Sequence, residues 1–200
     1  CTAYSNVSGG ITLRWGTVST AVLRRIQLLR NTVYSNGTGK GTGSGGTSVP
    51  CGGISSYTQN KASIGTAGFI SYDIVCERNT VYNNNGYGIN IEGFATDTRQ
   101  GSVSRNTVTG NGYSLDVDSH SLWVGNSSGI IIEQNEVYGN FANSGASTGS
   151  GVGIFLDYNA SSTSGGANCI VRRNRIYNQW QGSTTAPAIA ASAGILVLAN

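Results

Sequence analysis

One short pattern recurs along the whole chain and constrains its fold more than any other feature. In its clearest copies it has the form Arg-Asn-Thr-Val-Tyr, and its asparagines are Asn31, Asn79, Asn106, Asn135 and Asn174. The intervals between them are 48, 27, 29 and 39 residues. Cys1 occupies the asparagine position of a similar segment at the start of the sequence. A repeat with variable spacing predicts stacked supersecondary units whose extra residues lie in loops.

Apolar residues alternate around each asparagine. Those three positions before it are Leu28, Cys76, Val103, Ile132 and Val171. Those two positions after it are Val33, Val81, Val108, Val137 and Ile176. A third apolar segment follows and begins at Ile11, Ile54, Ile89, Leu115, Ile154 and Ile195. The alternation predicts three short strands per unit, with the asparagine at a left-handed bend and its amide stacked on those of neighbouring units.

A longer signature, Asn-x-Val-x-x-Asn-x-Gly-x-Gly-Ile, combines these elements. It is carried by Asn79, Val81, Asn84, Gly86, Gly88 and Ile89, and again by Asn135, Val137, Asn140, Gly151, Gly153 and Ile154. The signature resembles that of the pectate-lyase-like superfamily, and the resemblance covers nearly the whole chain. It implies an all-β fold, a right-handed single-stranded parallel β-helix of about five to six coils. That superfamily includes lyases, hydrolases and non-enzymatic fibres, so the fold alone does not define the chemistry.

Composition excludes several classes of partner. Only 10% of the residues are charged and the net charge is +3, so no extended basic face for nucleic acid is expected. The sequence contains no run of 18 apolar residues, so no membrane-spanning helix is expected. The four cysteines lack the spacing of a zinc site, and Cys76 and Cys169 fall at inward positions. Because the sequence starts in mid-repeat and ends on an apolar segment, residues 1–200 are interpreted as one domain, an internal piece of a longer chain.

The third predicted strand carries the acidic residues of interest. Its second outward position is occupied by Arg14, Tyr57, Glu92, Asp118, Asp157 and Leu198. Its first outward position is occupied by Thr12, Ser55, Asn90, Asp116, Phe155 and Leu196. Because neighbouring coils are roughly 4.8 Å apart, Glu92, Asp118 and Asp157 are expected to form one acidic column. Such a column needs a cation, a raised pKa or a nearby base to offset the repulsion.

Paired carboxylates suit glycoside hydrolysis, which needs them about 5 Å apart for retention or roughly 6.5 to 9.5 Å apart for inversion. The predicted catalytic residues are Asp116, Asp118, Asp157 and His120, and the predicted substrate-binding residues are Glu92, Tyr57, Phe155 and Arg99. Alternatively, Glu92, Asp118 and Asp157 bind Ca²⁺. Lyases resembling this fold pair Ca²⁺ with a basic residue, and the two lysines, Lys40 and Lys61, lie in predicted loops. The resemblance implies a secreted or cell-surface protein that acts on an extracellular polysaccharide.

The alternative is a non-enzymatic stalk, adhesin or phage tail-fibre segment, in which the acids form an ordinary solvated face. For a stalk or fibre segment we expect trimeric or end-to-end contacts. An outward tyrosine column, Tyr4, Tyr34, Tyr82, Tyr138 and Tyr177, is expected to stabilise the stacked strands, with a sugar-binding platform as the alternative. The residues before the asparagines, Arg30, Arg78, Arg105 and Arg173, are interpreted as structural.

Overall fold

The structure of the protein is a computed structural model. It describes residues 1–6, 9–15, 22–37, 52–58, 70–92, 101–112, 121–125, 129–142, 152–158, 169–181 and 194–199. All regular elements in these ranges are β-strands. No helix in the described part of the chain is long and apolar enough to cross a membrane.

The strands form three long parallel sheets, named here for the order of the strands within a coil. The first-strand sheet contains Gln27–Leu29, Val75–Glu77, Ser102–Ser104, Ile131–Glu133 and Ile170–Arg172. The second-strand sheet contains Thr2–Tyr4, Thr32–Tyr34, Thr80–Tyr82, Thr107–Thr109, Glu136–Tyr138 and Arg175–Tyr177. The third-strand sheet contains Gly9–Trp15, Gly52–Thr58, Tyr87–Glu92, Leu122–Gly125, Ile154–Tyr158 and Ile195–Ala199. This is a parallel β-helix, as the sequence predicts.

Two short parallel pairs of strands lie outside these sheets. Val22–Arg24 pairs with Ile70–Tyr72, and Phe141–Ala142 pairs with Trp180–Gln181. The second pair begins directly after the bend that ends the second strand. Consecutive coils therefore pair with each other beyond the three main sheets.

The core is the column of apolar side chains that face the axis of the coil. The register places Val33, Val81, Val108 and Val137 directly above one another, and all four are fully buried. The first-strand sheet contributes Leu28, Cys76, Val103 and Ile132 in the same way. Burial of side chains of this size stabilises the fold by about 1.5 to 3 kcal/mol each. The predicted inward positions of these residues in the first and second strands are confirmed.

The repeated asparagines form the predicted ladder at the bend between the first and second strands. The Asn106 carbonyl Oδ1 accepts hydrogen bonds from the backbone N–H and from Nδ2 of Asn79, both at 2.9 Å. Asn106 in turn donates to Asn135 Oδ1 from its backbone N–H and from Nδ2, and Nδ2 also donates to the Cys76 carbonyl. The whole polar capacity of a buried amide is used, which is the condition for burying it without a large penalty.

A second asparagine ladder, which the repeat analysis did not predict, occupies the bend after the second strand. Its members are Asn6, Asn36, Asn84, Asn111 and Asn140, each bonded to the next through Oδ1. Gln179 takes the equivalent position in the last coil, where its longer side chain donates to the carbonyls of Val137 and Tyr177. Both corners beside the second strand are therefore held by stacked amides.

The left-handed residue at each bend is not the asparagine, which corrects the sequence-based prediction. The residues with positive φ directly precede the ladder asparagines, and include Arg30, Arg78, Arg105, Gln134 and Arg173, with φ between 54 and 56°. The reason is that the asparagine amide must point inward to reach its neighbours. The left-handed turn therefore falls one residue earlier, on a side chain that points to solvent, at a cost of about 1 to 2 kcal/mol.

Candidate functional site on the third-strand sheet

The register of the third-strand sheet differs from the predicted one in a single coil. The strand there is Leu122–Gly125, and Leu122 pairs with Ile89 on one side and with Ile154 on the other. Gly125, and not Asp118, therefore lies between Glu92 and Asp157. The predicted acidic column of Glu92, Asp118 and Asp157 is wrong in its middle position, which Gly125 takes. Trp123 takes the position predicted for Asp116, between Asn90 and Phe155.

The error has an identifiable cause in the sequence. Residues 114–117 and 121–124 both have the pattern Ser-Leu-x-Val, so alternation alone cannot choose between them. In two other coils, residues 38–51 and 143–151 separate the second strand from the third, which indicates where this fold accepts extra residues. If residues 113–120 are likewise assigned to the connection between the second and third strands, Leu122 becomes the favoured start of the third strand.

Four predicted site residues lie outside the described residues: Asp116, Asp118, His120 and Arg99. Their predicted catalytic and substrate-binding roles stay predictions. Glu92 and Asp157 do lie in one column, on strands two coils apart. Two strand spacings of roughly 4.8 Å separate their Cα atoms by about 9.6 Å. Tyr57 follows Ser56, the partner of Ile91, so it lies in the same column as Glu92, one coil earlier.

Four residues of the first outward column of this sheet are buried. Ser55, Asn90, Trp123 and Phe155 follow one another in register and none is more than 8% exposed. The Trp123 ring lies 6.0 Å from Phe155 and 5.2 Å from Tyr87, centroid to centroid, in a tilted arrangement typical of aromatic clusters. Phe155 is a predicted substrate-binding residue, and a ligand could reach its ring only after this packing opens.

The predicted Ca²⁺ site loses one of its three carboxylates from the column. Within the described residues no group of three or more His, Cys, Asp or Glu side chains is close enough to hold a metal ion. Ca²⁺ prefers six to eight oxygen ligands. The pair Glu92 and Asp157 therefore differs from the predicted cluster of three carboxylates in adjacent coils.

The outward face of the second-strand sheet carries the tyrosine column. Tyr4, Tyr34 and Tyr82 stack with centroids 5.1 and 4.9 Å apart, and Tyr138 stacks on Tyr177 at 5.0 Å. Within a stack the ring faces cover one another, so the column stabilises the strands as predicted. Desolvation, followed by the hydrogen bond to Glu136, raises the pKa of Tyr177.

This stack is interrupted once, at Thr109, which pairs with Tyr82 on one side and Tyr138 on the other. The tyrosine column predicted from the sequence omits this position, because it includes only the coils that have tyrosine there. The signal was nevertheless present in the sequence: residues 107–109 read Thr-Val-Thr where five other coils have tyrosine as the third residue of the strand.

Arg105 at the first bend serves the structure by bonding to side chains of the neighbouring coils. The Arg105 guanidinium donates to Gln134 Oε1 and Glu77 Oε1, both at 2.9 Å, and so joins three coils. Arg172, the last residue of its strand, joins two coils through its pair with Glu133 at 2.8 Å. These side chains are about half exposed, so each pair contributes roughly 0 to 1 kcal/mol.

Comparison with known proteins leaves the functional argument to the geometry described above. The parallel β-helix fold is compatible with the superfamily that the sequence resembles. No protein-family model, curated protein or solved structure matches the chain.

Proposed function

We propose that the protein is a polysaccharide-degrading β-helix, a glycoside hydrolase that binds an extended substrate along its third-strand sheet. One observation supports this proposal above the others. Glu92 and Asp157 occupy the same column two coils apart, with Gly125 between them. Gly125 has no side chain, and the indole ring of Trp123 packs against it, with Nε1 3.0 Å from the position that a Cβ atom would take.

The spacing favours inversion over retention. Retaining enzymes hold their carboxyl groups about 5 Å apart, whereas inverting enzymes hold them roughly 6.5 to 9.5 Å apart to leave room for a water molecule. With Cα atoms about 9.6 Å apart, carboxyl groups that project in parallel from the two strands would be separated by a distance close to the second range. In this reaction one carboxylic acid protonates the leaving oxygen as the glycosidic C–O bond breaks. The other, a carboxylate, takes a proton from the water whose oxygen attacks the anomeric carbon.

The test is to replace each carboxylate by its amide. We expect Glu92→Gln and Asp157→Asn each to reduce the release of reducing ends from the polysaccharide cleaved by the wild type by about 10² to 10⁴-fold. Asp73→Asn is the matched control, because Asp73 lies outside the third-strand sheet at a φ of 55°, a conformation that asparagine tolerates. Proton NMR of the first-formed anomer measures the stereochemistry.

Three results would contradict the hydrolase proposal. The first is a wild-type protein that releases no reducing ends from neutral, acidic and acetylated polysaccharides. The second is activity within twofold of wild type in both amide variants, which would remove the pair from the mechanism. The third is a first product with retained configuration, which would require carboxyl groups about 5 Å apart and would contradict the inverting mechanism.

A second function, a non-enzymatic stalk or fibre segment, is favoured by a different observation. Trp123 and Phe155 are buried on the outward side of the third-strand sheet, so this row does not line an open groove. In a stalk, Glu92 and Asp157 would be incidental. Such a protein is expected to form trimers or end-to-end assemblies in sedimentation experiments and to release no reducing ends, whereas the hydrolase proposal does not require assembly.

A further inference from the structure

The interruption of the tyrosine stack at Thr109 leaves a space between two aromatic rings. Tyr82 and Tyr138 lie on the coils before and after it, so their positions in the stack are about 9.6 Å apart. The existing neighbours in the stack are 4.9 to 5.1 Å apart. A ring placed above Thr109 would therefore lie about 5 Å from each tyrosine, within the usual range for stacked rings.

Both walls of this space are held in place from behind. Tyr34 stacks on Tyr82 with an angle of 7° between the ring planes, and Tyr177 stacks on Tyr138 with an angle of 2°. The Tyr177 hydroxyl donates to Glu136 Oε1 at 3.1 Å, and the Arg175 guanidinium lies 4.8 Å from the centre of the Tyr177 ring. A site whose walls are already ordered loses little entropy when a ligand binds.

The floor and edge of the space are polar and small. The half-buried Thr109 supplies a hydroxyl at the floor. Gly110 and Gly139 form the adjacent bend with φ of 62 and 60°, and the Asn83 side-chain carbonyl lies against Gly110. Thr109 and Asn83 thus present a hydroxyl and an amide beside two aromatic faces.

We propose that this space, the Thr109 slot, binds one pyranose ring of a glycan. A pyranose has apolar C–H faces that pack on aromatic rings and a perimeter of hydroxyls that exchange hydrogen bonds with threonine and asparagine. A flat aromatic ligand would use the walls but not the polar edge. The slot lies on the second-strand sheet, so this inference does not depend on the hydrolase proposal.

The sharpest test completes the tyrosine stack. Thr109→Tyr supplies the missing ring from the protein itself and blocks the slot. Thr32→Tyr is the matched control, because it adds a tyrosine to the same sheet in the neighbouring outward column, two coils before Thr109. The probes are methyl β-D-glucopyranoside, methyl β-D-galactopyranoside and methyl α-D-mannopyranoside. Saturation-transfer NMR measures binding, and ¹⁹F spectra of protein labelled with 3-fluorotyrosine locate it.

We expect at least one of these pyranosides to bind saturably, to shift the Tyr82 and Tyr138 resonances, and to bind at least tenfold more weakly to Thr109→Tyr. Binding to Thr32→Tyr should stay within threefold of wild type. The Glu92→Gln/Asp157→Asn double variant should also bind as wild type does, which separates this site from the hydrolase proposal. Tyr82→Leu, an outward substitution that leaves the core intact, should weaken binding as well.

The proposal is overturned if none of the three pyranosides binds saturably, or if binding persists unchanged in Thr109→Tyr. It is also overturned if indole, a flat aromatic probe, binds in the slot while the pyranosides do not. A folded Thr109→Tyr protein, verified by its circular dichroism spectrum, is required for each comparison. Should this variant not fold, Tyr82→Leu and Tyr138→Leu decide the question by the same measurements.

Discussion

The second-strand and third-strand sheets run through the same six coils but use their outward faces differently. On the second-strand sheet, five of six positions in one outward column are tyrosine, and four in the neighbouring column are threonine. On the third-strand sheet, one outward column runs Thr12, Ser55, Asn90, Trp123, Phe155 and Leu196, with no residue repeated. The two faces share a backbone and differ in what each coil adds to it.

The comparison indicates that outward side chains repeated from coil to coil stabilise the stack, whereas side chains that differ between coils are the candidates for a functional site. Identical residues in register can stack on or bond to themselves, as the tyrosines and asparagines do, and this stabilises the neighbouring coils. A binding or catalytic site needs different groups in one place. The outward face of the third-strand sheet varies at every coil, and the tyrosine column varies at Thr109, so these are the places where a function is sought.

The largest effect is expected from breaking a repeated column. Asn106→Ala removes the acceptor for two donors of Asn79, and it removes the Nδ2 donor to Asn135 Oδ1 and to the Cys76 carbonyl. The backbone N–H of residue 106 still donates to Asn135 Oδ1. Because each buried unsatisfied group costs roughly 1 to 3 kcal/mol, we expect the free energy of unfolding to fall by about 4 kcal/mol. Urea denaturation measures it. Thr80→Ala, an exposed outward change, should cost no more than about 0.5 kcal/mol.

A loss below about 1 kcal/mol in Asn106→Ala would contradict the view that repeated columns carry the stability. Asn174→Ala sharpens the measurement. Asn174 is the last member of the described ladder and only partly buried, and it bonds to Asn135 and to the Ile132 carbonyl. It should therefore cost less than Asn106→Ala.

The second effect concerns the cysteine in an otherwise aliphatic inner column. Burial raises the pKa of Cys76 from 9.0 to about 12. The folded state therefore keeps the thiol protonated where the unfolded state ionises. This contribution is fully present below pH 9 and is lost as the pH rises towards 12, at about 1.4 kcal/mol per pH unit. Between pH 9 and pH 10.5 the loss is about 2 kcal/mol.

The control for Cys76 is Cys76→Val, which matches Val103 in the next coil of the column. Urea denaturation of both proteins between pH 8 and pH 10.5 should show a steeper decline for the wild type. Equal slopes would mean that the thiol does not ionise on unfolding in this range, and would contradict the prediction.

A smaller effect of opposite sign is expected from completing the tyrosine column. Thr109→Tyr creates two new stacked pairs, with Tyr82 and Tyr138, each worth about 0.5 to 1.5 kcal/mol beyond the burial of area. We expect the free energy of unfolding to rise by about 1 to 2 kcal/mol, whereas Thr32→Tyr should change it by less than about 0.5 kcal/mol. Destabilisation by Thr109→Tyr would show that the slot does not accept a ring in the geometry of the stack.

The smallest effect is expected at the first bend. Glu77 bonds to Arg105 at 2.9 Å and lies 3.6 Å from Arg78, and both arginines are about half exposed. Glu77→Gln should lower the free energy of unfolding by about 0.5 kcal/mol at low salt and by less at 1 M salt, where exposed pairs are screened. A loss above about 2 kcal/mol that is insensitive to salt would contradict this surface assignment.

Much of the architecture was predictable because inward positions obey a simple rule. Val33, Val81 and Val108 had to face the axis, since a strand with one buried face alternates with period two. The rule failed at one strand because Leu115 and Leu122 begin equivalent patterns. The second asparagine ladder was visible at Asn84 and Asn140 as part of a signature, but its hydrogen bonds depend on register between coils.

From the sequence alone it follows that the chain forms stacked coils. Repeated asparagines and tyrosines can bond to or pack on their equivalents, and alternating apolar residues can be buried, only when parallel coils lie in register. The sequence also named Glu92 and Asp157, since both lie in strands with an unambiguous pattern. Only the tertiary structure decided which residue separates them, because the length of a loop is free while the pairing of backbone groups is not. The same pairing aligned Thr109 between Tyr82 and Tyr138, residues 27 and 29 positions away in the sequence.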